Sequence, residues 1–337
     1  MTTYRKEAIP VEHDAWLKQR SKGIGGSDAG AVMGVNKYKS AYTLWAEKTG
    51  LVSSYVPDNE AMLQGRDLED YVAKRFCKDT GKKVQRSGYS FQSEEYPWML
   101  ANIDRKVVGE NAGLECKTAN IFTQEDYRSG VIPDSYYCQC LHYMAVCGFD
   151  RMYLAVLVLG RDFHIFSIDR QDQTVQVDLE TLIAAESDFW GLVKSNTPPA
   201  IDGSDSTTAT LKAINPQNVK ETVMNVDALE EILDAREEVL LIIDDLNEKK
   251  TALENQIRDA LGTYEEGAST NWKVTFKNNT KVDEKKLKAD HPDIYEMCLD
   301  APKKPAVNRS KLKKLLPNSS DYIVPSDIRP LKIKRRK

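Results

Sequence analysis

Cysteine is sparse and badly spaced for chemistry in this 337-residue chain. Its six copies include no Cys-x-x-Cys, which argues against a zinc ribbon and against a dithiol redox pair. Cys77, Cys116, Cys138, Cys140, Cys147 and Cys298 are too few for a disulfide framework at this length and fall mostly among apolar neighbours. Free cysteine packs there as a small hydrophobe, and a reducing cytoplasm is the expected compartment. No apolar run approaches the roughly 20 residues that span a bilayer, and Met1-Thr-Thr-Tyr-Arg-Lys-Glu7 lacks the apolar core of a secretion signal. Gly-Lys-Ser/Thr is missing from the glycine-rich stretch near residue 25, so that stretch is not a nucleotide P-loop. No internal repeat is present. With 41% hydrophobic and 29% charged residues the chain falls in neither the disordered nor the membrane class.

What the chain does have is organised around Trp98–Lys117. Two short apolar runs flank the turn Gly109-Glu-Asn-Ala-Gly113, the pattern of a β-hairpin with a longer loop. Side chains alternate along a strand, so Glu115 and Lys117 share one face while Leu114 and Cys116 take the other. A paired hairpin brings Asp104 to Glu115. Two carboxylates about 4 Å apart repel by roughly 4 kcal/mol at an effective dielectric near 20. A divalent cation removes that cost, whereas Lys117 offsets only part of it. Asp…Glu-x-Lys therefore reads as a magnesium site or, on its own, as a solvated charged face.

Upstream, Gly25-Gly26 permits a tight turn and Ser27 is the expected N-cap of a short helix beginning at Asp28. Free amides there, with the Ser27 hydroxyl and Arg20, form either an anion cradle suited to phosphate or a plain capped turn. A second helix capped by Ser40 runs over 41–48. In the helix over 62–76, Leu68, Val72, Ala73 and Phe76 form an apolar arc with Glu69 inside it. A core-facing carboxylate is paired with an arginine or bound to a metal.

Downstream, 132–148 reads as a helix with Pro133 in its first turn and Gly148 at its end. Gln139 and Tyr143, four apart, can bring their polar tips to one place. His142 is expected on the solvent side and no ligand. Residues 152–159 form a buried strand, and 163–168 an edge strand with His164 facing solvent. Helix resumes over 173–194.

Charge is uneven. Residues 303–337 carry twelve Lys/Arg against two Asp, a net +10 that leaves −14 for residues 1–302. The basic tail either contacts a polyanion or acidic protein, or serves solubility. Residues 196–225, rich in turn formers, are the expected linker. From 226 to 262, Leu229, Ile232, Val239, Ile243, Leu246, Leu253 and Ile257 recur at three-four spacing, broken by Arg236 and Lys250. That is a coiled-coil arm, or a helix lying on its own domain. A small module over 263–337, with a strand at 272–276 and a helix near 285–288, completes the chain.

In order, Arg20/Ser27, Gly65-Arg-Asp-Leu-Glu69, Asp104…Glu115-Cys-Lys117 and Gln139-x-x-x-Tyr143 resemble the PD-(D/E)XK nucleases. Within them they resemble the YqaJ-like phage recombination exonucleases related to lambda exonuclease. The resemblance covers residues 15–168 and nothing beyond Asn196. It implies an α/β, restriction-endonuclease-like core over 1–195, a central mixed sheet flanked by helices, with a helical C-terminal extension. It further implies that Glu69, Asp104, Glu115 and the Cys116 carbonyl hold Mg²⁺ or Mn²⁺. Lys117 would orient or activate the attacking water, Gln139 would help position it, and Arg20, Ser27 and Tyr143 would bind DNA at a 5′-terminal phosphate. Ile103 stands where the name-giving proline would be, a loose position in these families. The implied activity is a 5′→3′ exonuclease on linear duplex DNA that leaves 3′ single-stranded overhangs. An endonuclease or nickase of the same fold, or a non-catalytic DNA-binding or partner-docking protein, are the alternatives. The resemblance also suggests a homo-oligomer shaped as a trimeric ring, and a single-strand annealing protein docked on the C-terminal region.

Overall fold

The computed structural model describes residues 3–10, 12–55, 57–216, 223–299, 307–325 and 331–335. The chain divides into two compact units, Met1–Lys220 and Glu221–Lys337. The first runs β1 (Tyr4–Ala8), α1 (His13–Arg20), β2 (Ile24–Gly25), α2 (Gly26–Val32), α3 (Ala41–Lys48), α4 (Glu60–Thr80), β3 (Val84–Arg86), β4 (Tyr89–Ser93), β5 (Met99–Ala101), β6 (Arg105–Val107) and β7 (Ala112–Ala119). It continues with α5 (Gln124–Arg128), α6 (Asp134–Cys147), β8 (Arg151–Val158), β9 (Phe163–Asp169), α7 (Gln173–Ser195) and α8 (Asp205–Ile214).

This unit is mixed α/β with two mixed sheets flanked by helices. The larger is ordered β3-β6-β7-β8-β9 and the smaller β1-β4-β5-β2. At the centre of the larger, β7 and β8 pair in parallel with Glu115 opposite Leu154 and Lys117 opposite Val156. A parallel pair needs a crossover, and α6 supplies it. Strand β8 reads as a continuous apolar run because both its faces are covered: Leu154 and Val156 pack toward α6, while Tyr153 and Ala155 pack toward Val72 and Phe76 of α4.

The expected hairpin forms, but from less chain than its pattern suggests. Residues 98–108 do not make one strand. Strand β5 belongs to the smaller sheet and β6 to the larger, with Asn102-Ile103-Asp104 as the corner between them. Only Arg105 and Lys106 pair with β7, opposite Leu114 and Gly113. Gly109, at φ 85°, takes the left-handed turn conformation that favours glycine.

Helix α3 forms as expected, with the Ser40 hydroxyl accepting from the Thr43 N–H at 3.0 Å. Part of the expected linker is structured. Helix α8 is capped by Ser204 and binds α3 through a hydroxyl cluster, Thr43 lying 2.7 Å from Ser206 and 2.8 Å from Thr210. Small hydroxyl side chains read as turn composition, yet here they are the packing surface.

The second unit opens with a 3₁₀ turn over Asp227–Leu229 and α9 (Glu230–Leu261), a 32-residue helix with no buried residue. It then runs β10 (Glu266–Ala268), β11 (Trp272–Phe276), β12 (Thr280–Val282), α10 (Glu284–Asp290), α11 (Pro292–Cys298), α12 (Arg309–Leu315), β13 (Ile323–Pro325) and β14 (Leu331–Arg335). Its small core is Leu287, Cys298, Leu312 and Tyr322. Within the expected basic tail, Lys332, Lys334 and Arg335 belong to β14, which pairs antiparallel with β11. Lys303, Lys304, Asp327, Arg329, Arg336 and Lys337 lie outside the described residues. Among those described, no helix is long and apolar enough to cross a membrane.

Candidate active site

Two polar sites lie on opposite sides of one tyrosine. The first is at the open end of β7. Beyond Leu114 the strand has no partner on its β6 side, and Asp104 takes that place: its Oδ2 accepts from the Cys116 N–H at 2.8 Å. The N–H and C=O of one residue in an extended strand face the same neighbour, so the Cys116 carbonyl looks onto the Asp104 edge. Alternation sends Leu114 and Cys116 toward α4 and Glu115 toward α6.

Glu115 is 3% exposed. Its Oε1 accepts from Lys117 Nζ at 2.6 Å and from Gln139 Nε2 at 2.7 Å. Its Oε2 is buried with no hydrogen-bond partner among the described residues. Burial, then the charge of Glu115, pushes the Asp104 carboxyl well above the usual range, against the smaller opposing effects of Lys117 and the Cys116 N–H. Burial lowers the Lys117 pKa, but the charge and hydrogen bond of Glu115 outweigh it and the net shift is upward. Lys117 is therefore an ammonium at neutral pH, and it lies 5.0 Å from the centre of the Tyr136 ring.

Glu69 meets an arginine, one of its two sequence-level readings. Its Oε1 accepts from Arg105 Nη1 at 2.5 Å, and Arg86 lies 3.4 Å away. Arg105, 4% exposed, also binds Asp70 and the Asp104 carbonyl. Glu69 thus stays near enough for its charge to act on Asp104. Among the described residues no three Asp, Glu, His or Cys side chains converge as a ready ligand set. Asp104 and Glu115 meet; Glu69 is held by Arg105.

A divalent cation fits the pair that does meet. An orphaned buried oxygen on Glu115 and a carboxyl that burial makes hard to ionise are what excess buried negative charge looks like without a counter-ion. Two carboxylates and a strand carbonyl suit magnesium, which takes few protein ligands.

The second site is at the start of α2. Ser27 does not cap the helix. The Asp28 carboxylate does, accepting from the Gly25 N–H at 3.1 Å, and Ser27 Oγ instead accepts from Arg20 Nη2 at 2.6 Å. Asp28, expected as the start of the helix but not as a site residue, is 4% exposed and 2.9 Å from Lys48 Nζ. Burial opposes its ionisation, but Lys48, Arg20 and Lys39 outweigh that and hold its carboxyl well below the usual range. The acid three residues into the helix was the available signal, since an N3 carboxylate reaches back to the cap. Arg20 stacks 4.7 Å over Trp16 and borders a cavity of about 220 Å³ that Lys39, Lys48, Tyr55 and Arg66 also line. Lys39 is paired with Glu47 and Arg66 with Asp58. Arg20 lies 4.0 Å from Asp28. Behind it, Asn102 borders a smaller cavity with Arg20 and Gly25, and its Oδ1 is buried without a partner among the described residues.

Tyr143 joins the two sites. Its hydroxyl accepts from Gln139 Nε2 at 2.9 Å, as the four-residue spacing implied. Its ring lies so close under Gly26 that a Cβ there would stand 2.4 Å from Cε1.

Both histidine expectations need correction. His142 is fully buried, because α7 covers the face of α6 expected to meet solvent. His164 is half-buried, its ring stacked near Tyr127 and Phe166 and its Nε2 4.0 Å from Asp162.

Fold and site together define a class: a mixed α/β protein with a buried acid pair beside an ammonium and, across Tyr143, an arginine-bordered cavity. The comparisons narrow that class to a family. The uncharacterized protein YqaJ of Bacillus subtilis (strain 168) is 36% identical over 310 residues, which cover 88% of this chain and 95% of that protein. Residues 15–150 match the YqaJ-like viral recombinase domain. The chain belongs to the YqaJ-like viral recombinase family. Among solved structures, it is similar to the alkaline exonuclease LHK-Exo of Laribacter hongkongensis, at 21% identity and a TM-score of 0.45 over 54% of this chain and 95% of that one. A phage-related exonuclease of Haemophilus somnus 129PT is similar at 12% identity and a TM-score of 0.38, over 52% and 96%.

Proposed function

We propose that the protein is a metal-dependent exonuclease that degrades linear duplex DNA from its 5′ ends and leaves 3′ single-stranded overhangs for recombination. The observation that carries the reading is the Asp104–Glu115 pair, with its orphaned oxygen beside the Lys117 ammonium, joined through Gln139 and Tyr143 to the Arg20–Ser27 pocket. Asp104, Glu115 and the Cys116 carbonyl would hold Mg²⁺ or Mn²⁺, with Glu69 as a further donor. The ion's contribution is to lower the pKa of water and to neutralise phosphate charge.

The rest is work for the chain's own residues. The Lys117 ammonium, fixed by Glu115, faces the charge that grows on the phosphoryl oxygens and orients the attacking water. Being protonated, it serves as an electrostatic group rather than as a base. Gln139 turns one amide hydrogen toward Glu115 and keeps its carbonyl oxygen to align that water. Arg20 and Ser27 take the 5′-terminal phosphate, a charge-assisted contact that sets which end enters. An exposed α9, with Ile232, Leu241 and Leu253 each at least 60% accessible, is the surface for a ring-shaped trimer or an annealing protein.

Digestion of end-labelled linear DNA with and without Mg²⁺ tests the reading and gives polarity directly. Lys117→Ala should bind DNA and not hydrolyse it; unchanged turnover sinks the assignment. Cleavage of a covalently closed circle would make the enzyme an endonuclease instead.

A further inference from the structure

Between helices α6 and α7 lies a buried ionisable pair that the hydrolytic reading leaves unused. His142 and Glu186 are both 0% exposed. His142 Nδ1 lies 2.8 and 3.0 Å from the two Glu186 oxygens, and Nε2 lies 2.9 Å from the Leu100 carbonyl. A carbonyl can only accept, so Nε2 carries a proton, and a second proton sits between Nδ1 and Glu186. Burial disfavours the imidazolium, but the charge and hydrogen bond of Glu186, with the Leu100 carbonyl, outweigh it and raise the pKa. Asp28 on α2 adds in the same direction, and the Tyr143 ring stands edge-on at 6.2 Å.

One side chain is thus fastened to α7 and to β5. His142 comes three residues after Gln139 and directly before Tyr143. Leu100 is the register partner of Gly25 across the β2–β5 pair, and Gly25 leads into Ser27. We propose that His142 is a positioning residue. Clamped to Glu186 and to the Leu100 carbonyl, it sets how α6 lies on β5, so that Gln139 reaches Glu115 while Tyr143 supports the loop that binds the 5′-phosphate. The inference rests on the reading above for its functional arm only.

The test uses the full chain as Glu186→Gln, which removes the charge and keeps the shape, and as His142→Leu, which removes both bonds. Two readouts are taken at matched folded fraction. The first is hydrogen exchange of residues 24–28, which should speed up in both variants while α4 is unchanged. The second is the rate ratio for 5′-phosphorylated against unphosphorylated ends, which should fall about tenfold or more toward unity, since displacements near 1 Å can cost about a hundredfold. A merely structural role would lower stability and leave the ratio alone. Unchanged exchange at 24–28, or an unchanged ratio in an active variant, overturns the proposal. Should the wild type digest no DNA, the nuclease reading fails and the exchange measurement alone decides this one.

Discussion

Replacing Gly26 by alanine tests whether the two polar sites are one machine. The added Cβ would stand 2.4 Å from Tyr143 Cε1 and 2.7 Å from Cζ. The nearer of the two is more than an ångström inside the ~3.5 Å of ordinary carbon contact. Tyr143 is 4% exposed, so the ring cannot swing into solvent, and either α2 or α6 must move. Overpacking of this kind costs about 1–3 kcal/mol. At roughly 2–4 °C per kcal/mol for a unit of this size, the melting temperature should fall by roughly 2–12 °C. Displacement also pulls the Tyr143 hydroxyl from Gln139, so turnover should drop by about one to two orders of magnitude. Circular-dichroism melting and digestion of labelled duplex read the two effects. Adding Tyr143→Leu, which clears the space, should recover part of the stability and none of the turnover. A Gly26→Ala protein with wild-type melting and wild-type digestion would refute the contact and the coupling built on it.

Asp104→Asn should raise the melting temperature measured in chelator on the alkaline side, where the buried carboxylate is ionised and a neutral amide avoids its desolvation and then its repulsion with Glu115, and it should abolish both hydrolysis and any Mg²⁺-induced stabilisation. Arg20→Ala should lose most of the preference for 5′-phosphorylated ends while retaining slow digestion of unphosphorylated ones; equal loss on both would remove the pocket from end recognition. The His142–Glu186 pair predicts a pH dependence of stability. A folded-state pKa raised above the unfolded 6.5 gives stability that is full below about pH 6.5 and is lost as pH rises through the raised value. Melting temperature should therefore fall on the alkaline side in the wild type and less so in Glu186→Gln. Ending the chain after Lys220, the boundary of the first unit, should keep a cooperative melt, whereas ending it at Asn196 strips α8 from α3 and should lower the melting temperature.

Local rules carried the sequence reading wherever the chain's own neighbours decide the outcome. The alternation that put Glu115 and Lys117 on one face, the Ser40 cap and the Gln139–Tyr143 spacing are all set within a few residues. The misread positions depend on distant partners. His142 lies on a helix buried on every side, and only α7, some forty residues on, reveals it. Nothing local says that the stretches on either side of Asn102-Ile103-Asp104 pair with different sheets. Glu69 carried two readings because its partner, Arg105, is thirty-six residues away. Asp28 was legible in principle, since an acid three positions into a glycine-led helix is a capping signal. The preceding serine, itself a common cap residue, masks that signal.

The corner at Asn102-Ile103-Asp104 also divides the chain into segments of unequal tolerance. Strands on either side are anchored to different partners, so lengthening the chain there by a single residue would rotate one sheet's contribution out of phase with the other and carry Asp104 away from β7. The Gly109–Asn111 tip, a few residues on, is held in its own way: Glu110 pairs with Lys82 and accepts from the Tyr153 hydroxyl at 3.0 Å, and Asn111 Nδ2 donates to the Gly148 carbonyl at 2.8 Å. An insertion at the tip breaks those bonds but leaves Asp104 on β7, whereas one at the corner displaces Asp104 itself.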